Sequence, residues 1–146
     1  TYHYYLLNAR VDDPFLFDTC HRIWPALDLA AMQAAAAQFV GTHDFSALCA
    51  SGSSAAAHGD TVRTITDCTV VQSGDLFTIS VTADGYLYNM VRILAGTLVQ
   101  AGLHKRTPDS IPPLLESRDR KQAGPTLPAK GLFLERVDYP GLDAIS

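Results

Sequence analysis

Arg92 is the single charged residue in the run YLYNMVRILAGTLVQA, which lies between Gly85 and Gly102. A guanidinium in so apolar a helix needs a partner. The residues three and four positions away are Tyr88, Asn89, Ala95 and Gly96, none of them a carboxylate, so a counter-charge has to come from elsewhere in the fold. An internal ion pair with Glu135 or Asp84, or snorkelling to solvent, would satisfy it. So would a role in orienting an active-site carboxylate or a phosphate. Tyr2 and Tyr4 are two residues apart and point to one face of a strand, where a tyrosine ring stacks on a base or covers a core. Leu132, beside Gly131, reads as a core leucine on spacing alone.

Other chemistry is poorly supported. His43-Asp44 looks like an acid–base pair, but neighbours on an extended chain face opposite ways and no serine or cysteine nucleophile accompanies them, so His43-Asp44-Phe45 is read as a structural turn. His58 and Asp60 are too few to make a metal site, and no metal is expected. Ser51-Gly52-Ser53-Ser54 lacks both phosphate-loop and dinucleotide-binding spacing, so no nucleotide cofactor is implied.

These residues have to be positioned by a small set of elements. Tyr2–Asn8 is aromatic and aliphatic and reads as a first strand, ended by Val11-Asp12-Asp13-Pro14. Asp28 caps a helix through Val40, with Gly41 as its stop. Thr61–Gln72 and the alternating run from Leu76 to Ala83 form a hairpin across Ser73-Gly74-Asp75. A second helix runs from after Gly85 to Gly102. A shorter one follows Thr107 or Ser110, with Ile111, Leu114 and Leu115 inward and Pro112 and Pro113 confined to its first turn. Gly131–Tyr139 is the last strand. The order β-α-β-β-α-(α)-β predicts an α+β, ferredoxin-like split βαβ sandwich, an antiparallel sheet with helices on one face and its other face available to a partner.

The 146 residues, 47% of them hydrophobic and 18% charged, suit one domain spanning residues 1–146 and exclude a disordered tail; residues 50–60 read as a mobile loop. No apolar stretch approaches the ~20 residues that span a bilayer, so no membrane is expected. Cys20, Cys49 and Cys68 form neither a disulfide framework nor a C-x-x-C site, which fits a reducing, cytoplasmic setting. The net charge of −4 argues against nucleic-acid binding by bulk charge. The distribution is uneven, however. His104–Lys130 carries +3, from Lys105, Arg106, Arg118, Arg120, Lys121 and Lys130 against three acids, while the rest of the chain carries −7. One face can thus meet a polyanion. The opening Thr1, directly inside a strand-like run and without an initiator methionine or signal peptide, reads as the start of a fragment.

The segments TYHYYLLN, HDFSAL, TVRTI, GYLYNMVRILAGTLVQAG and AKGLFLERVDYP together resemble, in order, the C-terminal half of the tRNA pseudouridine synthase A family. That resemblance implies a protein of two ferredoxin-like halves facing each other across a basic cleft. It implies a homodimer that isomerises uridine to pseudouridine in the tRNA anticodon stem and loop without a cofactor. Its essential aspartate lies in an R-T-D-x-G-V-H segment, which this chain lacks, so the chain alone is expected to be inactive and to need the N-terminal half of the same protein as partner. Carried over residue by residue, the resemblance makes Tyr2 the uracil-contacting tyrosine, Arg92 the arginine paired with that aspartate, and Leu132 an apolar wall of the base pocket. The six basic residues become candidate RNA contacts. The alternative is a non-catalytic ferredoxin-like RNA-binding or dimerisation module, disfavoured by the acidic balance and the missing aromatic RNP1 signature.

Overall fold

The computed structural model describes residues 1–50 and 60–135. Strand β1 (Tyr2–Asn8) forms where expected and is the organising element. Along one edge it pairs antiparallel with β5 (Leu76–Ala83), placing Tyr2 opposite Val81 and Leu7 opposite Leu76. Its other edge is shared. The first half of β1 pairs antiparallel with β6 (Leu132–Leu134), and the second half pairs parallel with β2 (His21–Ile23). Beyond β5 lie β4 (Val62–Ser73) and β3 (Gly41–Asp44), both antiparallel to their neighbours. The β4–β5 hairpin turns at Gly74-Asp75, where Gly74 has φ +60°, a conformation natural to glycine.

Two departures from the sequence expectation stand out. The parallel β2 makes the six-stranded sheet mostly rather than wholly antiparallel. His43-Asp44, read as a turn, is the end of β3, because the two residues pair with Arg63 and Val62 of β4.

Helix α1 (Leu29–Ala37) is capped as expected by Asp28, whose carboxylate accepts from the Ala31 amide at 3.2 Å. It stops three residues short of Val40, because Phe39 and Val40 bond back over three residues to Ala36 and Ala37 and tighten the chain into Gly41. Helix α2 (Met90–Gly102) is central: eleven of its thirteen residues are buried, and the two that remain partly exposed are Arg92 and Gln100. It begins at Met90, four residues later than the expected start after Gly85, since Asn89 adopts the left-handed conformation at φ 61° and Leu87 is already folded into the core. Helix α3 (Ile111–Ser117) follows a short 3-10 turn at Pro108–Ser110 and buries Ile111, Leu114 and Leu115 as expected.

The core lies between the helices and one sheet face, where Tyr4, Leu6, Ile79, Val81, Phe77 and Val70 meet α1 and α2. The opposite face carries the half-exposed His3, Tyr5, Thr78 and Ser80. This is a ferredoxin-like split βαβ arrangement with added edge strands. Most of the expected loop at 50–60, and the part of the expected last strand beyond Glu135, lie outside the described residues.

Candidate active-site cleft

The start of α2, the N-terminal end of β1 and the start of β6 enclose a cleft of about 480 Å³ lined by Tyr2, Tyr86, Tyr88, Asn89, Arg92 and Leu132, among others. Side chains 130 residues apart in the chain meet here because β6 pairs with β1 in a register that sets Leu132 opposite Tyr4 and Leu134 opposite Tyr2. Tyr2 contacts Tyr86 edge to face, with ring centroids 4.7 Å apart. Tyr86 is itself fixed, its hydroxyl donating to the Val81 carbonyl at 2.9 Å and accepting from the Ala83 amide at 3.1 Å. Burial raises the pKa of that phenol, and the neighbouring Tyr2 adds to the effect. The wall is therefore aromatic and neutral.

Arg92 supplies the cation. Its Nε donates to the Leu127 carbonyl at 2.7 Å and its Nη1 to Asn89 Oδ1 at 3.1 Å. Both acceptors are uncharged, and among the described residues no carboxylate lies within 4.0 Å of the guanidinium. The two internal partners that the sequence left open are committed elsewhere. Asp84 accepts from the Thr64 amide at 2.9 Å, and Glu135 faces His3 at 3.3 Å. Nor does Arg92 snorkel, since a carbonyl and an amide oxygen hold its head in place.

The carbonyl of Leu127 belongs to a strap, residues 124–131, laid across α2. Gly124 donates its amide to Thr97 Oγ1 at 2.9 Å, and Leu127 donates its own to the Arg92 carbonyl at 3.3 Å. The buried Tyr4 hydroxyl donates to the Pro128 carbonyl at 2.6 Å. Burial raises the Tyr4 pKa, and the nearby Arg92 charge only partly opposes this, so the phenol stays a donor. The strap reaches the helix because Gly96 lacks a side chain: a Cβ there would sit 1.9 Å from the Pro125 carbonyl oxygen.

Tyr2, Arg92 and Leu132 thus share one cleft. It opens at the rim of the helix-covered side, not on the opposite sheet face that the sequence suggested for a partner. Tyr4 shares a face with Tyr2, as expected, but it is fully buried. Tyr86 and the polar roles of Asn89 and the Leu127 carbonyl were not anticipated. Asn89 was visible as an uncharged neighbour of Arg92, whereas a backbone carbonyl 35 residues away leaves no mark in sequence.

The six basic candidates divide into two groups. Arg106 donates to the Gln122 carbonyl, Arg120 to the Gly124 carbonyl and Thr126 hydroxyl, and Arg118 faces Asp44 at 3.4 Å. Lys105, Lys121 and Lys130 are exposed. Burial lowers the Arg106 pKa. Among the described residues, no group of three or more histidine, cysteine or acidic side chains is gathered for a metal, and no helix is long and apolar enough to cross a membrane. Asp60 instead faces Arg63 at 3.4 Å, and His58 lies outside the described residues. The three cysteines are buried.

Comparison with known proteins gives the family. The family model described as tRNA pseudouridine synthase matches residues 35–140. A protein of Acetivibrio thermocellus named tRNA pseudouridine synthase A is 44% identical over 138 residues, covering 94% of this chain and 55% of the relative. The namesake from Moorella thermoacetica matches to the same extent, and that from Shouchella clausii is 43% identical over 94% of this chain and 52% of its own length. The chain spans about half the length of these relatives and corresponds to their C-terminal half. With a family match over most of its length, beside an aromatic cleft and an arginine that faces no acid among the described residues, the chain belongs to the tRNA pseudouridine synthase family.

Proposed function

We propose that this chain is the C-terminal half of an enzyme that isomerises uridine to pseudouridine in the anticodon stem-loop of tRNA, with the essential aspartate brought by the N-terminal half of the same protein. The observation that carries the reading is Arg92: a cation lining an aromatic cleft and held by neutral oxygens, with no acid beside it among the described residues. A guanidinium so placed favours the ionised form of a carboxylate delivered to it, and its charge is oriented before the reaction begins. The target base has to leave its stack to reach such a carboxylate, and Tyr2 and Leu132 form the aromatic and apolar slot that receives it. The bond from ribose to the uracil nitrogen breaks, the base turns, a bond to ring carbon forms with loss of that carbon's proton, and the released nitrogen takes up a proton, so that product and substrate are isomers. The enzyme works in the cytoplasm as a homodimer and uses no cofactor. Lys105, Lys121 and Lys130 meet the tRNA backbone as exposed cations, whereas Arg106, Arg118 and Arg120 contribute mainly by bracing the segment that carries them.

The test is tritium release from tRNA labelled at the reacting uracil carbon. The full-length protein is expected to release tritium, and residues 1–146 alone are expected to release none. No release by well-folded full-length protein would discard the reading.

A further inference from the structure

Asn89 occupies an unusual place at the head of α2. Its carbonyl accepts the first helical bond, from the Ile93 amide at 3.0 Å, yet its φ of 61° is left-handed and its side chain caps none of the free amides of the first turn. An asparagine at this position ordinarily turns its oxygen to those amides. Here the oxygen goes instead to Arg92 Nη1, at 3.1 Å. With Nε held by the Leu127 carbonyl, two of the three nitrogens of the guanidinium are anchored, and Nη2 has no acceptor among the described residues.

We propose that Asn89 is a positioning residue that aims Arg92, leaving Nη2 and the second hydrogen of Nη1 as the landing place for the incoming carboxylate. This rests on the function proposed above. With the side of the guanidinium that includes Nε blocked by the strap, the carboxylate docks end-on across the two terminal nitrogens, in a bidentate pair. A neutral amide suits this task because it orients the guanidinium without neutralising it. An aspartate at the same position would occupy Nη1 with a charge of its own and disfavour a second ionised carboxylate beside it.

Two substitutions separate aiming from helix support, because glycine and aspartate both tolerate a left-handed residue. In the full-length protein, Asn89→Gly removes the oxygen and is expected to lower kcat about tenfold, as for a lost hydrogen bond to a charged group. Asn89→Asp keeps the shape and adds the competing charge; it is expected to lower kcat by roughly a further tenfold, with KM for tRNA within about twofold of wild type. Melting temperature followed by circular dichroism monitors folding, and should either variant fail to fold, the other carries the test. A purely structural residue would give kcat losses that follow the melting temperature. That outcome, or wild-type kcat in a folded variant, overturns the proposal. Absence of tritium release by the wild-type protein in the same assay would instead remove the functional reading, and this inference with it.

Discussion

An arginine bound only by neutral oxygens keeps its charge for something else, and among the arginines near the strap Arg92 is set apart by lining the cleft while so held. Arg118 faces Asp44, whereas Arg120 donates both terminal nitrogens to the segment it braces. Replacing Arg92 by lysine preserves the charge but loses the fork, so the bonds to Leu127 and Asn89 cannot both be kept. Arg92→Lys in the full-length protein is expected to reduce kcat by about a hundredfold or more, the scale of removing an oriented donor from a charged transition state; steady-state tritium release measures it. Asp44, outside the cleft, makes a different prediction. Burial pushes its carboxyl pKa up, but the Thr61 hydroxyl at 2.7 Å, the Ser46 amide at 2.9 Å and the Arg118 guanidinium outweigh that and hold it below the usual value. A pKa lower in the folded than in the unfolded chain adds stability above the unfolded value of about 4, and this is lost as pH falls through the folded value. Asp44→Asn is therefore expected to cost about 1–3 kcal/mol at neutral pH and to flatten the acid side of a stability profile measured by thermal unfolding between pH 3 and 7.

At the scale of elements, the strap and α2 form one unit that holds the arginine. Thr97, Gly96 and Arg92 are spaced along the helix so that the strap lies against it with the Gly124 and Leu127 amides and the Leu127 carbonyl bonded to it. Gly96→Ala would drive a methyl into the Pro125 carbonyl, and overpacking against backbone has no flexible side chain to absorb it. We expect a loss of about 1–3 kcal/mol in stability, read from the denaturation midpoint, together with a fall in kcat as the Leu127 carbonyl moves off Nε. Much of this level was legible beforehand. Strand β1, the hairpin and the inward face of α3 follow from alternation and from the Ile111, Leu114, Leu115 spacing. The start of α2 was not, because an apolar run has no period that distinguishes a helix from the folded approach to it, and Asn89 ends the irregular segment by a backbone angle. Strand β2 was missed for another reason: three residues paired in parallel carry no hairpin signal.

For the whole molecule, the proposed function divides the labour between a positioned cation on this half and an acid carried by the other. In that proposal the basic segment meets tRNA through its exposed lysines. Replacing Lys105, Lys121 and Lys130 together with alanine in the full-length protein is expected to weaken tRNA binding and to reduce the slope of log affinity against log salt by roughly one for each phosphate no longer neutralised; filter binding across a salt series measures both. The same replacement at Arg106 or Arg120 should instead appear in stability, since those side chains are tied to backbone carbonyls. By itself the sequence determined the fold class, the buried stripe of the central helix and the presence of an arginine to which its own helix offers no carboxylate, because these follow from the types of residues and their local periodicity. Only the tertiary structure decided that Tyr2, Arg92 and Leu132 line one cleft, that this cleft opens on the helix side, and that a carbonyl and an amide aim the guanidinium. Those facts depend on β6 returning to β1 and on a strap crossing at a glycine, and pairings between residues tens to more than a hundred positions apart leave no period in the chain that makes them.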